Sequence, residues 1–599
     1  MRHVVATARM VPRVSLPLTV ILLLIAVLQP ALGLGFMLAV GHLVAQIPTL
    51  VTGRESDALT ALALVAGLYV AQQTVAAVAD VAEWRLGRLL NNDLDERLLT
   101  FLTAPHGITH LEDARIRDLS AEVADGLGAG WWRPSKTPGA LFNITSAGLG
   151  LAVTFGVAIW LEWWLGLLLA VVAVWALYAV IRHSLVMILG FTGTTGHAEF
   201  RRMEYERDVA VSPASAKEVR LFGFAPWVLA RWEERLRTVL ALDLKNIARV
   251  TPSVILSIVA LGVVTAGGFA WAAIQAANGE LGLGAATVLA QAVLAPLAHF
   301  GPTGQAVINL SLSSKPIRSL LELEQEIHAV PDVARQSHGG ARESAIPAGT
   351  IRFENVSFRY PGTEVDVLRD FNLEIPAGTA VAVVGLNGAG KTTLVKLLCR
   401  FYEPTEGRIT VDGRDIRTFE PSQWQRHVAA IFQDFARYPF SARDNVGFGD
   451  LSASRERIEH AVARAGATQV IETLPAGWGT VLSREFTGGT DLSGGQWQRI
   501  ALARALLAAD SGARVLILDE PAANLDVRAE ADLNERFFEL TTGVTTIVIS
   551  HRFSTVRRAD TICVVDDGRL VEHGSHDELM TSGGRYAELF RLQAERFAL

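Results

Sequence analysis

Gly385-Leu386-Asn387-Gly388-Ala389-Gly390-Lys391-Thr392-Thr393 is the stretch on which the reading of this chain turns. It follows an apolar run, Thr379 to Val384, with the composition of a buried strand. It precedes Leu394 to Phe401, which has the composition of a helix. Strand, glycine-rich turn and helix form the setting in which G-x-x-x-x-G-K-[ST] becomes a phosphate cradle. Gly385, Gly388 and Gly390 allow the backbone N–H groups of the loop, Asn387 and Thr393 included, to converge on an anion. The helix start adds unpaired N–H groups and a favourable dipole. Lys391 has the reach for the β- and γ-phosphates of a nucleotide, and Thr392 is placed to hold Mg²⁺.

Two further stretches downstream carry related chemistry. Val515-Leu516-Ile517-Leu518 reads as a buried strand that ends in Asp519 and Glu520. Asp519 at that strand end is suited to a divalent cation, and Glu520 to activating a water that attacks the γ-phosphate. Between the two elements lies Ser493-Gly494-Gly495-Gln496, opening an Ala/Leu-rich helix. Ser493 is a good N-cap and the glycines expose its N–H groups, so this is a second anion-binding helix start. One reading has it completing a nucleotide site on another copy of the chain; the other has it as a plain capped helix. Tyr360, upstream of the phosphate loop, is placed to stack on a nucleobase.

The rest of the chain is of a different kind. Of 599 residues half are hydrophobic and only 19% are charged, and mean hydropathy is +0.30, which points to membrane spans. A net charge of −7 carries no sign of nucleic-acid binding. Cys399 and Cys563 form no C-x-x-C pair and read as small buried thiols in a reducing compartment. Six spans are expected, at about 16–44, 59–81, 139–160, 164–189, 250–276 and 285–310. Arg2, Arg9 and Arg13 before the first span mimic a signal peptide, but the apolar run continues past Pro30 without a small-residue cleavage site. A retained span with both chain ends in the cytoplasm follows from the positive-inside rule.

Two long charged stretches, Glu83 to Lys136 and His197 to Lys245, then fall on the cytoplasmic side. Their apolar residues recur at helical spacing, which predicts two helical hairpin arms reaching far from the bilayer. Gln72, Gln73, Asn143, Thr145, Gln275, Gln291, His299, Gln305 and Asn309 lie within the spans and are expected to face the bundle interior. There they either line a substrate path or bond helix to helix. No run of intramembrane carboxylates is evident. The domain plan is a membrane domain over 1–325, a linker over 326–349 and an α/β nucleotide-binding domain over 350–599.

With Leu492-Ser493-Gly494-Gly495-Gln496 between the phosphate loop and the acidic strand end, the chain resembles the ATP-binding cassette (ABC) transporters over its whole length. It is most similar to half-transporters of the exporter type: an α-helical six-span domain with long cytoplasmic arms fused to one P-loop cassette. The resemblance implies an ATPase coupled to transport, with ATP and Mg²⁺ as cofactors. Tyr360 looks like the adenine-stacking aromatic, and Gln433 like the glutamine that senses Mg²⁺ and the attacking water. Asn524-Leu525-Asp526 looks like the D-loop, and His551 like the switch histidine on the γ-phosphate. Ser493, Gly494, Gly495 and Gln496 would then complete the site of a second subunit, in a homodimer or a heterodimer. His110 to Arg115 and Ser215 to Gly223 resemble the coupling regions of the arms, whose tips are expected to dock near Phe435, Arg437 and Tyr438. One departure is that Glu485, in Arg484-Glu485-Phe486-Thr487-Gly488-Gly489, lies too far from the signature to match the glutamate many exporters carry there.

The function these features imply is ATP-driven export of an amphipathic or hydrophobic drug, lipid or peptide across the cell membrane. An importer of a siderophore- or vitamin-like compound and an ATP-gated channel share the architecture. A soluble cassette ATPase acting on nucleic acid or ribosomes lacks the spans. A leader-clipping peptide transporter would carry an extra N-terminal protease domain, which is not expected here because the first span begins near residue 16.

Overall fold

The computed structural model describes residues 2–47, 55–128, 133–192, 194–330, 349–520, 541–550 and 552–597. The chain divides into two compact units, one of Met1–Phe101 with Ala114–Glu326, the other of Leu102–Asp113 with Ile327–Leu599.

The first unit is helical. Among the described residues six helices are long and apolar enough to cross a membrane: Leu16–Ala45, Asp57–Thr103, Pro134–Leu161, Trp163–Val186, Ile247–Ala277 and Leu283–Ala329. Three of them overrun the expected spans, because apolar and charged segments share one unbroken helix. The helix Glu55–Thr103 has 49 residues and Ala225–Ala277 has 53. At 1.5 Å per residue each is on the order of 70–80 Å long, far more than the ~30 Å of hydrocarbon in a bilayer. The polar half of Glu55–Thr103 stays ordered because Leu86, Leu90, Leu94 and Leu98, four apart, are all buried on one face. A second arm helix, Ala114–Leu127, packs on the last helix. A Cβ on Gly126 would lie 2.1 Å from the Pro316 ring, and Glu122 bonds both Lys315 (2.5 Å) and Ser319 (2.8 Å). Within the span bundle, a Cβ on Gly284 would lie 2.6 Å from the Gly41 carbonyl, so only glycine permits that close crossing. Helices Thr137–Leu161 and Trp163–Thr192 form a hairpin around Glu162, where Trp160 and Trp163 are exposed and Trp164 meets Trp271 edge-on at 5.2 Å.

The second unit holds two sheets. Strands β1 (Ile351–Arg359), β2 (Asp366–Ile375), β4 (Glu406–Val411) and β5 (Arg414–Asp415) make an antiparallel sheet in the order β2-β1-β4-β5. Strands β3 (Ala380–Val384), β6 (Val428–Ile431), β7 (Val515–Asp519), β8 (Thr545–Ile549), β9 (Thr561–Asp566) and β10 (Arg569–Gly574) make the other, in the order β10-β9-β3-β8-β7-β6. It is parallel from β9 to β6, and β10 closes the edge antiparallel to β9. Strands β7 and β8 are buried at every position, as continuous apolar runs covered on both faces must be. One core joins both sheets to the helix Lys391–Leu398, and a separate core gathers Ala442, Ile458, Trp497 and Leu506 in a helical lobe. Both cysteines are buried and unpaired, and burial pushes each thiol up to about 12.

The end of the helix Lys391–Leu398 is tied down from outside. Trp424 is fully buried, and its indole N–H donates to the Leu398 carbonyl at 2.7 Å. Replacing Trp424 by Phe keeps the ring but leaves that buried carbonyl without its donor, at a cost of about 1–3 kcal/mol. Thermal unfolding of the full-length protein should register a lowered transition for Trp424→Phe; an unchanged transition would mean that the indole bond contributes nothing.

Candidate nucleotide site and membrane cavity

The phosphate loop leaves β3 at Val384 and enters its helix at Lys391, three residues earlier than the composition suggests. Gly390, the residue before the helix, has φ +101°, and a Cβ there would meet Leu368 at 2.8 Å and the Val367 carbonyl at 3.0 Å. Gly388 is also left-handed, at φ +84°. Those turns bring the chain round sharply enough for Lys391, Thr392 and Thr393 to form the first helical turn. Lys391 curls back over the loop and donates to the carbonyls of Gly385 and Leu386, both at 2.9 Å. Burial lowers its pKa, opposed by Glu520 and Asp519.

Strand register brings the remaining groups to the same end of the sheet. β6 and β7 run parallel with Ile431 beside Leu518, so the residues two further on, Gln433 and Glu520, emerge side by side. The Gln433 amide donates to the Glu520 carboxylate at 3.2 Å. Glu520 has φ +50°, a left-handed turn uncommon for glutamate, and its N–H donates to the Ile549 carbonyl of β8 at 2.9 Å. Asp519, the last residue of β7, is buried, and the Thr392 hydroxyl lies 3.5 Å from its carboxylate. Burial, then Glu520, pushes the Asp519 carboxyl up to about 6, opposed by Thr392 and Lys391. The cluster concentrates negative charge beside one partly buried ammonium, an environment that favours an added cation.

Ser493 caps the helix Gly494–Asp510 in a reciprocal capping box. Its hydroxyl accepts from the Gln496 N–H at 3.3 Å, and the Gln496 side chain accepts from the Ser493 N–H at 2.9 Å. Gly494 and Gly495 form the first turn above it. Tyr360 lies beside the phosphate-loop helix, its hydroxyl 3.0 Å from that of Thr393 and its ring edge-on to Phe358 and Tyr402. Asp526, the rest of the stretch Asn524-Leu525-Asp526, and His551 lie outside the described residues.

The tip of the first arm, the short helix Thr109–Glu112, belongs to the second unit, and it docks elsewhere than expected. Its partners are at the end of the phosphate-loop helix, not at Phe435, Arg437 and Tyr438. The Ile108 N–H donates to the Phe401 carbonyl at 3.3 Å, Gln425 donates to the His106 carbonyl at 3.1 Å, and Glu112 pairs with Lys396 at 2.8 Å. Tyr438 is engaged within the helical lobe, with Arg504 over its ring at 4.9 Å and Phe448 edge-on at 5.1 Å. These partners of the tip were missed in the sequence: Glu112 and Lys396 are 284 positions apart.

In the first unit a cavity of about 600 Å³ opens between the helices. Gln72, Asn143, Gln291 and His299 line it, along with Gln29, Ser146, Phe36 and Phe142, and Gln291 also donates to the Met37 carbonyl of a neighbouring helix at 3.3 Å. An adjoining cavity of about 840 Å³ takes Gln305 and Asn309, together with Arg88, Asp95, Arg133 and Lys136. Gln73, Thr145 and Gln275 are in neither lining. The Thr145 hydroxyl instead bonds the Leu141 carbonyl one turn back at 2.8 Å, which satisfies it without an interior partner. Asp80 and Glu83 line both cavities. Unbroken continuation of the helix past Val81 carries these carboxylates onto the cavity wall, where a break at the span end would have put Glu83 in a loop.

Comparison with known proteins agrees with this geometry. Residues 368–523 match the family model described as ABC transporter. The ATP-dependent lipid A-core flippase of Chromohalobacter salexigens is 38% identical over 293 residues, 47% of this chain and 50% of the flippase. The mitochondrial potassium channel ATP-binding subunit of Rattus norvegicus is 45% identical over 249 residues, 41% of this chain and 34% of that subunit. The chain thus spans about half the length, or less, of the curated relatives it matches. The solved structure of a bacterial Atm1-family ABC exporter with ATP bound superposes with a TM-score of 0.73 at 25% identity, covering 96% of this chain and 98% of that one. Six helices long and apolar enough to cross a membrane, a parallel sheet carrying the phosphate loop and this likeness over nearly the full length lead to one conclusion: the chain carries an ABC transporter cassette over residues 368–523 and shares, over nearly its full length, the fold of an ABC exporter, with a helical unit and a nucleotide-binding unit in one polypeptide.

Proposed function

We propose that two copies of this chain bind and hydrolyse ATP to drive an amphipathic or hydrophobic compound outward across the cell membrane by alternating access. The observation that carries this reading is the convergence of Lys391, Thr392, Asp519, Glu520 and Gln433 at one end of a parallel sheet, in a chain that also holds a six-span unit.

Phosphoryl transfer of this type is positioning and electrostatics. The loop N–H groups from Gly385 to Thr393 and the Lys391 ammonium hold the phosphates, and Tyr360 stacks on the adenine. Thr392 and Asp519 are oxygen donors 3.5 Å apart, the kind of pair a hard divalent cation takes, so with Gln433 they would hold Mg²⁺. The ion, when bound, neutralises charge building on the phosphate oxygens. Glu520 accepts a proton from the attacking water, and its bond to Gln433 aims the carboxylate. His551 and Asp526 complete the surroundings of the γ-phosphate. The signature helix supplies its N–H groups and Ser493, Gly494, Gly495 and Gln496 to the nucleotide held by the other copy, so each site is shared across a homodimer. A similar chain as heterodimer partner would meet the same need.

The cavity supports an amphipathic cargo, since apolar walls of Phe36 and Phe142 stand beside Gln29, Gln72 and Asn143. Asp80 and Glu83 add two carboxylates, which suit a cargo with a positive group. The lipid named for the flippase relatives makes a lipid a natural first candidate. The channel-subunit relative matches over 41% of this chain and 34% of its own length, too little for its printed activity to be carried to the whole.

Glu520→Gln removes the proton acceptor while keeping the shape. It should lower ATP turnover by about 10²–10⁴-fold with ATP binding retained, and ATP-driven uptake into inside-out vesicles should fall with it. Turnover within tenfold of the parent would exclude Glu520 as the base. Flux out of such vesicles would mark an importer, and ion currents without coupled turnover a channel. The shared site is tested by pairing Asn387→Cys with Ser493→Cys in one chain. The native thiols are buried and hard to ionise, so oxidation should link chain to chain only when ATP is present. Linking that ignores ATP, or none at all, would count against the sandwich.

A further inference from the structure

Tyr360 is held by more than its own loop, and following its contacts outward leads to the arm. Lys396 lies five positions after Lys391 in the same helix, and its ammonium sits 5.4 Å from the centre of the Tyr360 ring and 5.7 Å from that of Tyr402. The Tyr402 ring meets Tyr360 edge-on at 5.4 Å and 86°. Both of these supports end on one carboxylate. Glu112 accepts from Lys396 at 2.8 Å through one oxygen, and from the Tyr402 hydroxyl through the other. Burial, and then that bond to Glu112, push the Tyr402 hydroxyl well above the usual phenol range, so it stays a donor. The Lys396 side chain is 23% exposed and that of Glu112 44%, so the pair lies at the edge of the solvent and is partly screened.

Glu112 is itself fixed by the docking of the arm tip. The tip carbonyl at His106 and the amide at Ile108 are bonded to Gln425 and Phe401, and the His110 ring closes on the Leu102 carbonyl at 2.9 Å. Its next neighbours in the chain, from Ala114 on, belong to the membrane unit. On its other side Tyr360 touches the phosphate loop directly, through the hydroxyl of Thr393. Two routes of two contacts each, Glu112–Lys396–Tyr360 and Glu112–Tyr402–Tyr360, therefore run from the arm tip to the aromatic ring beside the phosphate loop.

We propose that Glu112 is a positioning residue through which the docked tip of the first arm sets the base-stacking ring of Tyr360, so that arm docking and adenine binding are linked. The inference rests on the reading of Tyr360 as the stacking residue. With Glu112 in place, Lys396 and Tyr402 pin the ring and the base meets a preorganised face. With the tip withdrawn, the ammonium and the phenol lose their common acceptor and the ring is free to turn. Linkage then runs both ways: a bound adenine favours the docked tip by the same factor that the docked tip favours adenine. The phosphate part of the nucleotide, gripped by Lys391 and the loop, stays outside this linkage.

The test compares ATP with CTP, whose smaller base stacks weakly, on the full-length protein in lipid nanodiscs. Glu112→Gln should raise the KM for ATP about three- to tenfold, the range of a lost cation–π support, and move that for CTP less than twofold. Glu112→Asp, which keeps the charge, should recover most of the effect, and Glu112→Gln added to Tyr360→Leu should change nothing further. Equal shifts for both nucleotides, no shift for ATP, or additivity with Tyr360→Leu would overturn the proposal. If Tyr360→Leu itself leaves the KM for ATP unchanged, the stacking reading falls and this inference with it. If Tyr360→Leu raises it while Glu112→Gln is silent, only the role of Glu112 falls.

Discussion

The parallel pairing of β6, β7 and β8 is the constraint on which the nucleotide half depends. Parallel strands end in step, so residues at equal distances past the register emerge together. Gln433 and Glu520 meet for that reason, and Asp519 comes level with Ile549, the last residue of β8. Every position of β7 and β8 is buried, so a slip of one residue would force both faces of the core to repack and would misplace each acidic group. The core that holds the fold and the register that aligns the chemistry are therefore the same object.

At the end of that sheet a left-handed backbone turn meets charges that are neutralised in few places. Glu520 sits in a left-handed conformation. Asp519 is buried beside a second carboxylate with one ammonium near by, which is why its carboxyl is held up towards neutrality. Such an arrangement is poorly balanced by itself and improves when a cation is added.

The first arm adds a connection of a different sort. The helix that carries Leu86, Leu90, Leu94 and Leu98 is continuous with a span, and its chain returns through a tip counted with the nucleotide domain. A long helix transmits displacement because its backbone bonds are satisfied internally along its whole length. Within the second unit the tip ends on Lys396 and Tyr402, beside the helix that follows the phosphate loop.

Much of this was legible in the residues. The glycine-rich loop, the acidic strand end and the signature stretch are contiguous, and their chemistry lies in local spacing that one reading frame displays. The six spans are legible because burial in lipid requires long apolar runs. What the sequence could not display is anything set by pairing across distance. Whether a helix stops at the membrane surface depends on what packs on its polar half, and buried leucines kept the helix of Asp80 and Glu83 running onto a cavity wall. The docking place of the arm tip rests on partners 284 positions away, and the partition of interior polar residues between cavity and helix face rests on rotation within the bundle. Sequence alone determined the chemistry available, since motifs are local; tertiary structure alone decided which of those groups face one another, since that is settled by strand register and helix packing.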